Sequence, residues 1–150
     1  MSHVHEKIDF TTQAFVVYKD KVLLRFHEKY HVWLAVGGHI ELDEDPNQAV
    51  LREVKEEVGL DVELYDNREF KGNDLKKELI APISINRHRI NDTHEHVDLI
   101  YFAKSNSDAV VPEKLTDVWK WCTRADLDQT EMDSHVAFFA RKALQVLGAP

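Results

Sequence analysis

Glu53, Glu56 and Glu57 sit close together in a segment that also holds Arg52 and follows the pair Gly37-Gly38. On a helix, Glu53 meets Glu56 at i+3 and Glu57 at i+4, spacings at which like charges destabilise the helix by roughly 0.2–0.5 kcal/mol per pair. Folding gains nothing from that repulsion. A divalent cation reverses its sign, because Mg²⁺ and Mn²⁺ are hard ions that take carboxylate oxygens and complete their shells with water and phosphate oxygens. Several carboxylates beside a glycine turn therefore suit a cation and a phosphate ester together. The plainer reading of an isolated E-x-x-E-E is a solvated helix face on which Arg52 pairs with Glu56 at i+4.

The flanking residues decide between these readings. From Gly38 and Glu44 through Arg52, Glu53, Val54, Glu56 and Glu57 to Gly59 and Leu60, the chain reads G-x5-E-x7-R-E-V-x-E-E-x-G-L, a span of 23 residues. Every fixed position resembles the signature of the Nudix hydrolase family. The resemblance implies an α/β/α sandwich with a central mixed β-sheet and metal-binding carboxylates at Glu53, Glu56 and Glu57. It also implies a metal and phosphate site completed by the backbone around Gly37 and Gly38, where no side chain blocks close approach. Arg52 then orients the carboxylates, and Glu44 steadies the loop. The reaction implied is attack of water on phosphorus in a diphosphate bridge, assisted by Mg²⁺ or Mn²⁺. Its substrate is a nucleoside diphosphate linked to another moiety or a nucleoside triphosphate.

Two alternatives stand beside this one. Some Nudix-like domains sense nucleotides without turnover, although the intact acidic motif speaks against that here, and others cleave non-nucleotide diphosphates such as isoprenoid or inositol compounds. Homodimers are common in the family, which leaves a homodimer as one open assembly. The chain departs from the commonest pattern in carrying Ala35-Val36 where many members have proline before the glycines. It also lacks, near Leu75–Glu78, the proline or tyrosine that marks ADP-ribose pyrophosphatases or diadenosine polyphosphate hydrolases. The motif thus identifies a catalytic engine and leaves the substrate open.

Outside the motif, His94, His96 and Asp98 alternate with Glu95 and Val97, so on a strand they share one face. A His-x-His with a carboxylate can bind zinc; polar residues at a strand entrance, or substrate contacts, are the plainer account. Glu95 and Asp98 are candidate extra acids near the metals. Arg25, His27, Lys29, Arg87 and Arg89 could contact phosphate, and His39 lies just after the glycines. Trp119 and Trp121 could stack on a base, but buried tryptophans in a short strand are the blander reading.

Several elements must position these groups. Phe10–Tyr18 and Val22–Leu24, interrupted by Lys19-Asp20-Lys21, read as a β-hairpin, and Trp33–Val36 reads as a strand running into a tight turn at Gly37-Gly38. Asp45 fits an N-cap, Pro46 the first helical position and Gly59 a left-handed stop. Between them Val50, Leu51, Val54 and Val58 share one side of the helix and the glutamates an adjacent arc. Further strands are expected at Asp61–Phe70, Leu79–Arg87, His96–Lys104 and Val118–Cys122. Loops are expected at Gly72–Lys77, Asn91–Thr93 and Ser105–Asp108, and a closing amphipathic helix from Asp133 or Ser134 to Leu147. Strands flanked by two helices indicate an α/β layered domain.

Composition sets outer limits. A chain of 150 residues with 43% hydrophobic content has the size of one globular domain. A net charge of -8 argues against non-specific nucleic-acid binding. It also means that a polyphosphate ligand needs bound cations or a local Lys/Arg cluster. Cys122 is the only cysteine, which excludes an intramolecular disulfide and points to a reducing cytoplasm. Met1–Glu6 lacks signal-peptide features, and no apolar run reaches membrane-spanning length.

Overall fold

Period-two alternation along two long strands sorts the core residues into two layers. The computed structural model describes residues 7–150, so Met1–Glu6 lies outside the described residues. The strands are β1 (Ile8–Tyr18), β2 (Lys21–His27), β3 (Val32–Leu34), β4 (Val36–His39), β5 (Val62–Leu64), β6 (Ser84–Asn91), β7 (His94–Ser105) and β8 (Val118–Cys122). The helices are α1 (Pro46–Val58), α2 (Arg124–Gln129) and α3 (Ser134–Leu147). β1 and β7 pair in parallel, from Ile8 with Glu95 to Val17 with Lys104, and every other pairing is antiparallel. The sheet is therefore mixed.

Ala14 and Val16 of β1, with Tyr101 and Ala103 of β7, pack against Val50, Val54 and Val58 of α1. Their strand neighbours Phe15, Val17, Ile100 and Phe102 turn to the opposite face and pack against Val136, Phe139, Ala140 and Ala143 of α3. The two helices sandwich the sheet. Among the described residues no helix is long and apolar enough to cross a membrane.

One edge of β1 serves two partners. Thr11–Ala14 pair with β4, while Val17 and Tyr18 pair with β2. The sheet forks between those branches, and β2 carries β3 and β8 away on its own branch. Helix α1 starts and stops where its residue types require. Asp45 caps Gln48 N–H at 2.9 Å and Gln48 Oε1 returns the bond to Asp45 N–H at 2.9 Å, while Gly59 closes the helix at φ 69°.

Several expectations need correction. Gly37 and Gly38 lie within β4 rather than in a tight turn. Leu51 is 39% exposed, so the packed side of α1 is Ala49, Val50, Val54 and Val58. The strand expected at Asp61–Phe70 shrinks to β5, because Asp66 Oδ1 accepts from the Arg68 backbone N–H at 3.0 Å and draws the chain out of the ladder. The strand expected at Leu79–Arg87 begins only after Pro82, which has no N–H to give the ladder. Helix α2 was not expected at all; Thr123 and Asp126 form its capping box.

The two sides of α1 should separate in a denaturation experiment. Val54→Ala, at a fully buried position, is expected to destabilise the protein by about 2 kcal/mol. Leu51→Ala is expected to stay within about 0.5 kcal/mol. Urea midpoints of the two variants measure the difference.

Candidate functional site

Arg52 is the fixed point of the site. Its Nε and Nη2 bind both oxygens of Glu44, at 2.9 and 2.7 Å. Its Nη1 donates to Glu53 Oε1 and Glu56 Oε2, each at 2.9 Å, and Nη2 also donates to the His39 carbonyl at 3.0 Å. All five N–H donors of the guanidinium are thus engaged. Their partners span the end of β4, the loop before α1, and α1 itself. Hydrogen bonding to Arg52 holds the Glu44 carboxyl below the usual carboxylate range, and Glu44 above all holds the guanidinium proton more tightly than usual. The i+4 pair of the plainer reading does exist, but as one bond of this network.

The glycines explain why the network sits against the sheet. A Cβ on Gly38 would fall 2.5 Å from the Glu53 carboxyl carbon, and one on Gly37 would fall 2.1 Å from the Thr12 carbonyl oxygen. Only bare backbone leaves room for both. Gly37 N–H donates to Glu57 Oε2 at 3.3 Å, and Arg25 Nη1 lies 3.9 Å from Glu57 Oε1. Glu57 is 14% exposed at its side chain, and burial pushes its carboxyl up to about 7 despite Arg25 and the Gly37 N–H. Burial also raises the Glu53 carboxyl, against the pull of Arg52. Glu56 is the outlying member, its side chain 55% exposed.

On the α3 side of the sheet, a cleft of about 230 Å³ opens beside the same glycines. Thr11, Gln13, His96 and Asp98 form part of its wall, with Arg25, Leu34, Ala35, Gly37, Gly38, His39 and His88 around them. Gln13, His88 and Asp98 also border an adjoining hollow of about 450 Å³ lined by Asn86, Arg87, Asp133 and His135. Asp98 is fully buried, accepting from Thr11 Oγ1 at 2.9 Å and from Gln13 Nε2. Burial raises its carboxyl above the ordinary range.

The remaining sequence candidates fall in different places. Glu95 turns to the opposite face from Asp98 and pairs with Arg87 and Lys7, contacts that hold its carboxyl low. Arg25 packs with its guanidinium carbon 5.7 Å from the Trp119 ring centroid, and its Nη1 lies 3.7 Å from Asp117 Oδ2. Trp119 thus backs Arg25 and, like Trp121, packs on the α1-side core. Trp121 donates from Nε1 to the Asp108 carbonyl at 3.0 Å. Neither ring lines the cleft. His94 and His96 do share a face, yet the side chains they group with are Asp9 and His39. Thr11, Gln13 and Asp9 were missed by sequence reasoning. Alternation along β1 gives the first two, because they share parity with buried Phe15, whereas the approach of Asp9 to His94 depends on the β1–β7 register.

Comparison with known proteins follows the same lines. The family model for the NUDIX domain matches residues 10–142. The chain is similar to the crystal structure of a NUDIX-family hydrolase from Clostridium perfringens, with 36% identity, 96% of this chain and 99% of that one covered, and a TM-score of 0.87. It is similar in fold to the Ap4A hydrolase of C. elegans in a binary complex, at 19% identity, coverage of 93% and 97%, and a TM-score of 0.67. It is also similar in fold to the MutT NUDIX hydrolase of Burkholderia pseudomallei, at 20% identity, coverage of 95% and 99%, and a TM-score of 0.62. Comparison with curated proteins gives no match. With its signature folded as a strand, a loop and a capped helix, and its matched region running through nearly all of the described residues, the chain belongs to the NUDIX family of hydrolases.

Proposed function

We propose that this hydrolase cleaves the diphosphate linkage of a nucleotide, either a nucleoside diphosphate joined to another moiety or a nucleoside triphosphate, by attack of water on phosphorus. Mg²⁺ or Mn²⁺ is the cofactor, held by Glu53, Glu56 and Glu57 with the backbone of Gly37 and Gly38. The observation that carries this reading is the seating of the Glu53 and Glu57 carboxylates against a glycine backbone that also borders the cleft. The donor set fits the ion. It consists of oxygens only, and it leaves an open arrangement suited to Mg²⁺, which usually takes one or two carboxylates and keeps waters and substrate phosphates for the rest. When bound, the ion activates water and neutralises charge on the phosphate oxygens.

The chain's own residues supply position. Arg52 holds Glu53 and Glu56 in place from behind and has no donor left for substrate. Arg25, braced by Trp119, is the cation placed to meet a phosphate at the cleft. Its Nε is buried and has no hydrogen-bond partner among the described residues. Gln13, whose amide also donates to buried Asp98, offers a polar side chain at the cleft wall, where a base edge can be read. The relatives named as Ap4A hydrolase and MutT support a nucleotide as substrate class.

Two outcomes are expected. Replacing both Glu56 and Glu57 by Gln should lower diphosphate hydrolysis by roughly 10²- to 10³-fold, the loss typical of removing transition-state charge stabilisation. The assay is product release across a nucleotide panel, and activity surviving at the wild-type level contradicts the mechanism. The second outcome concerns the protein in chelator. The Glu57 carboxyl is raised to about 7 in the folded state, so between the ordinary value near 4.5 and 7 the folded state binds more protons than the unfolded one. Stability therefore falls as pH rises through that window. Glu57→Gln removes this term, and its melting temperature relative to wild type should climb between pH 5 and pH 8. A difference that does not change with pH argues against a buried, strained carboxyl at this position.

A further inference from the structure

The α1 carboxylates leave unused a second set of ligand-type side chains at the end of the sheet where β4 leaves for α1. Asp9 of β1, His39 of β4, and His94 and His96 of β7 each bring one ligand atom into a group, all four atoms lying within 4.8 Å of one another. His94 Nε2 is 3.2 Å from Asp9 Oδ2 and 3.1 Å from His96 Nε2, and His39 Nε2 is 3.5 Å from Asp9 Oδ2. A tetrahedral zinc with bonds of about 2.0–2.1 Å places its donors about 3.3 Å apart. These three separations bracket that value, and the other three lie within 4.8 Å.

Hydrogen bonding alone does not satisfy this arrangement. One ring nitrogen carries at most one proton, so His94 Nε2 cannot give a full hydrogen bond to Asp9 and another to His96. A cation at the centre serves all four atoms at once. Three imidazoles and one carboxylate form a softer donor set than the oxygens of α1, and imidazole suits Zn²⁺ where carboxylate, carbonyl and water suit Mg²⁺ and Mn²⁺.

We propose that Asp9, His39, His94 and His96 form a Zn²⁺ site separate from the α1 carboxylates. Four protein ligands close the shell, as in a structural site. The ion ties β1, β4 and β7 together, and because the His39 carbonyl accepts from Arg52, it also fixes the strand end on which the Arg52 network rests. The site does not depend on the hydrolytic reading.

The test is titration of chelator-treated protein with Zn²⁺ in competition with a chromophoric chelator, together with the visible spectrum of the Co²⁺-substituted protein. Wild type should take up Zn²⁺ with a tetrahedral Co²⁺ spectrum. His94→Gln and His96→Gln should each weaken Zn²⁺ binding by about 100-fold or more, the upper end of what losing even an outer partner of a ligand does. Glu57→Gln should leave it unchanged. No Zn²⁺ uptake by wild type, equal uptake by the histidine variants, or a Co²⁺ spectrum with no tetrahedral component overturns the proposal. The spectrum is read on the unaltered protein and decides the matter even if a variant fails to fold.

Discussion

The guanidinium of Arg52 binds Glu44, Glu53, Glu56 and the His39 carbonyl at once, and the local structure around the signature follows from that. Single surface ion pairs contribute little, but bidentate and charge-assisted bonds in one network are stronger. Here the network offsets the repulsion between Glu53 and Glu56 and fixes the loop between β4 and α1. Glu57 stands outside it. Its carboxylate has the Gly37 N–H and a distant Arg25 instead, and burial opposes its charge. One acid is thus held where its ionised form is costly, a perturbation that clusters at functional sites more than at structural ion pairs.

The sheet fork gives this network something to act on. β1 gives one part of its edge to β4 and another to β2, and the cleft draws on both branches, with Gly37 and Gly38 from one and Arg25 from the other. Along β1 and β7, the face that buries Phe15 and Ile100 under α3 continues into Thr11, Gln13, His96 and Asp98. Core and cleft are two ends of one alternating pattern. The carboxylates of α1 lie on the other face, against the bare glycine backbone that borders the cleft.

Much of this was legible in the sequence where local rules suffice. Asp45, Pro46 and Gly59 mark the bounds of α1, the Lys19-Asp20-Lys21 interruption marks the first hairpin, and Val118–Cys122 forms the strand read from its residue types. What was illegible depends on distant chain. Gly37 and Gly38 read as a turn because glycine pairs usually punctuate, yet here they serve close approach by Glu53 and by the Thr12 backbone. Leu51 fits the apolar period of α1 but falls at the rim of the packed stripe. The shortening of β5 follows from the Asp66–Arg68 side-chain bonds, which compete with the ladder. Placing Asp9 beside His94 and His96 requires the parallel β1–β7 register, which no local pattern encodes.

A chain of net charge -8 attracts an anionic substrate only through local positive charge, and Arg25 brings one such charge to the cleft. The most direct measurement of the central claim is electron paramagnetic resonance of Mn²⁺ added to the chelator-treated protein, which reports the ion left free in solution. Wild type should remove Mn²⁺ from solution, Glu57→Gln should weaken that uptake at least tenfold, on the order seen for disturbed metal sites, and His94→Gln should leave it intact. Mn²⁺ uptake undiminished in Glu57→Gln would show that the α1 carboxylates are not the seat of the cation.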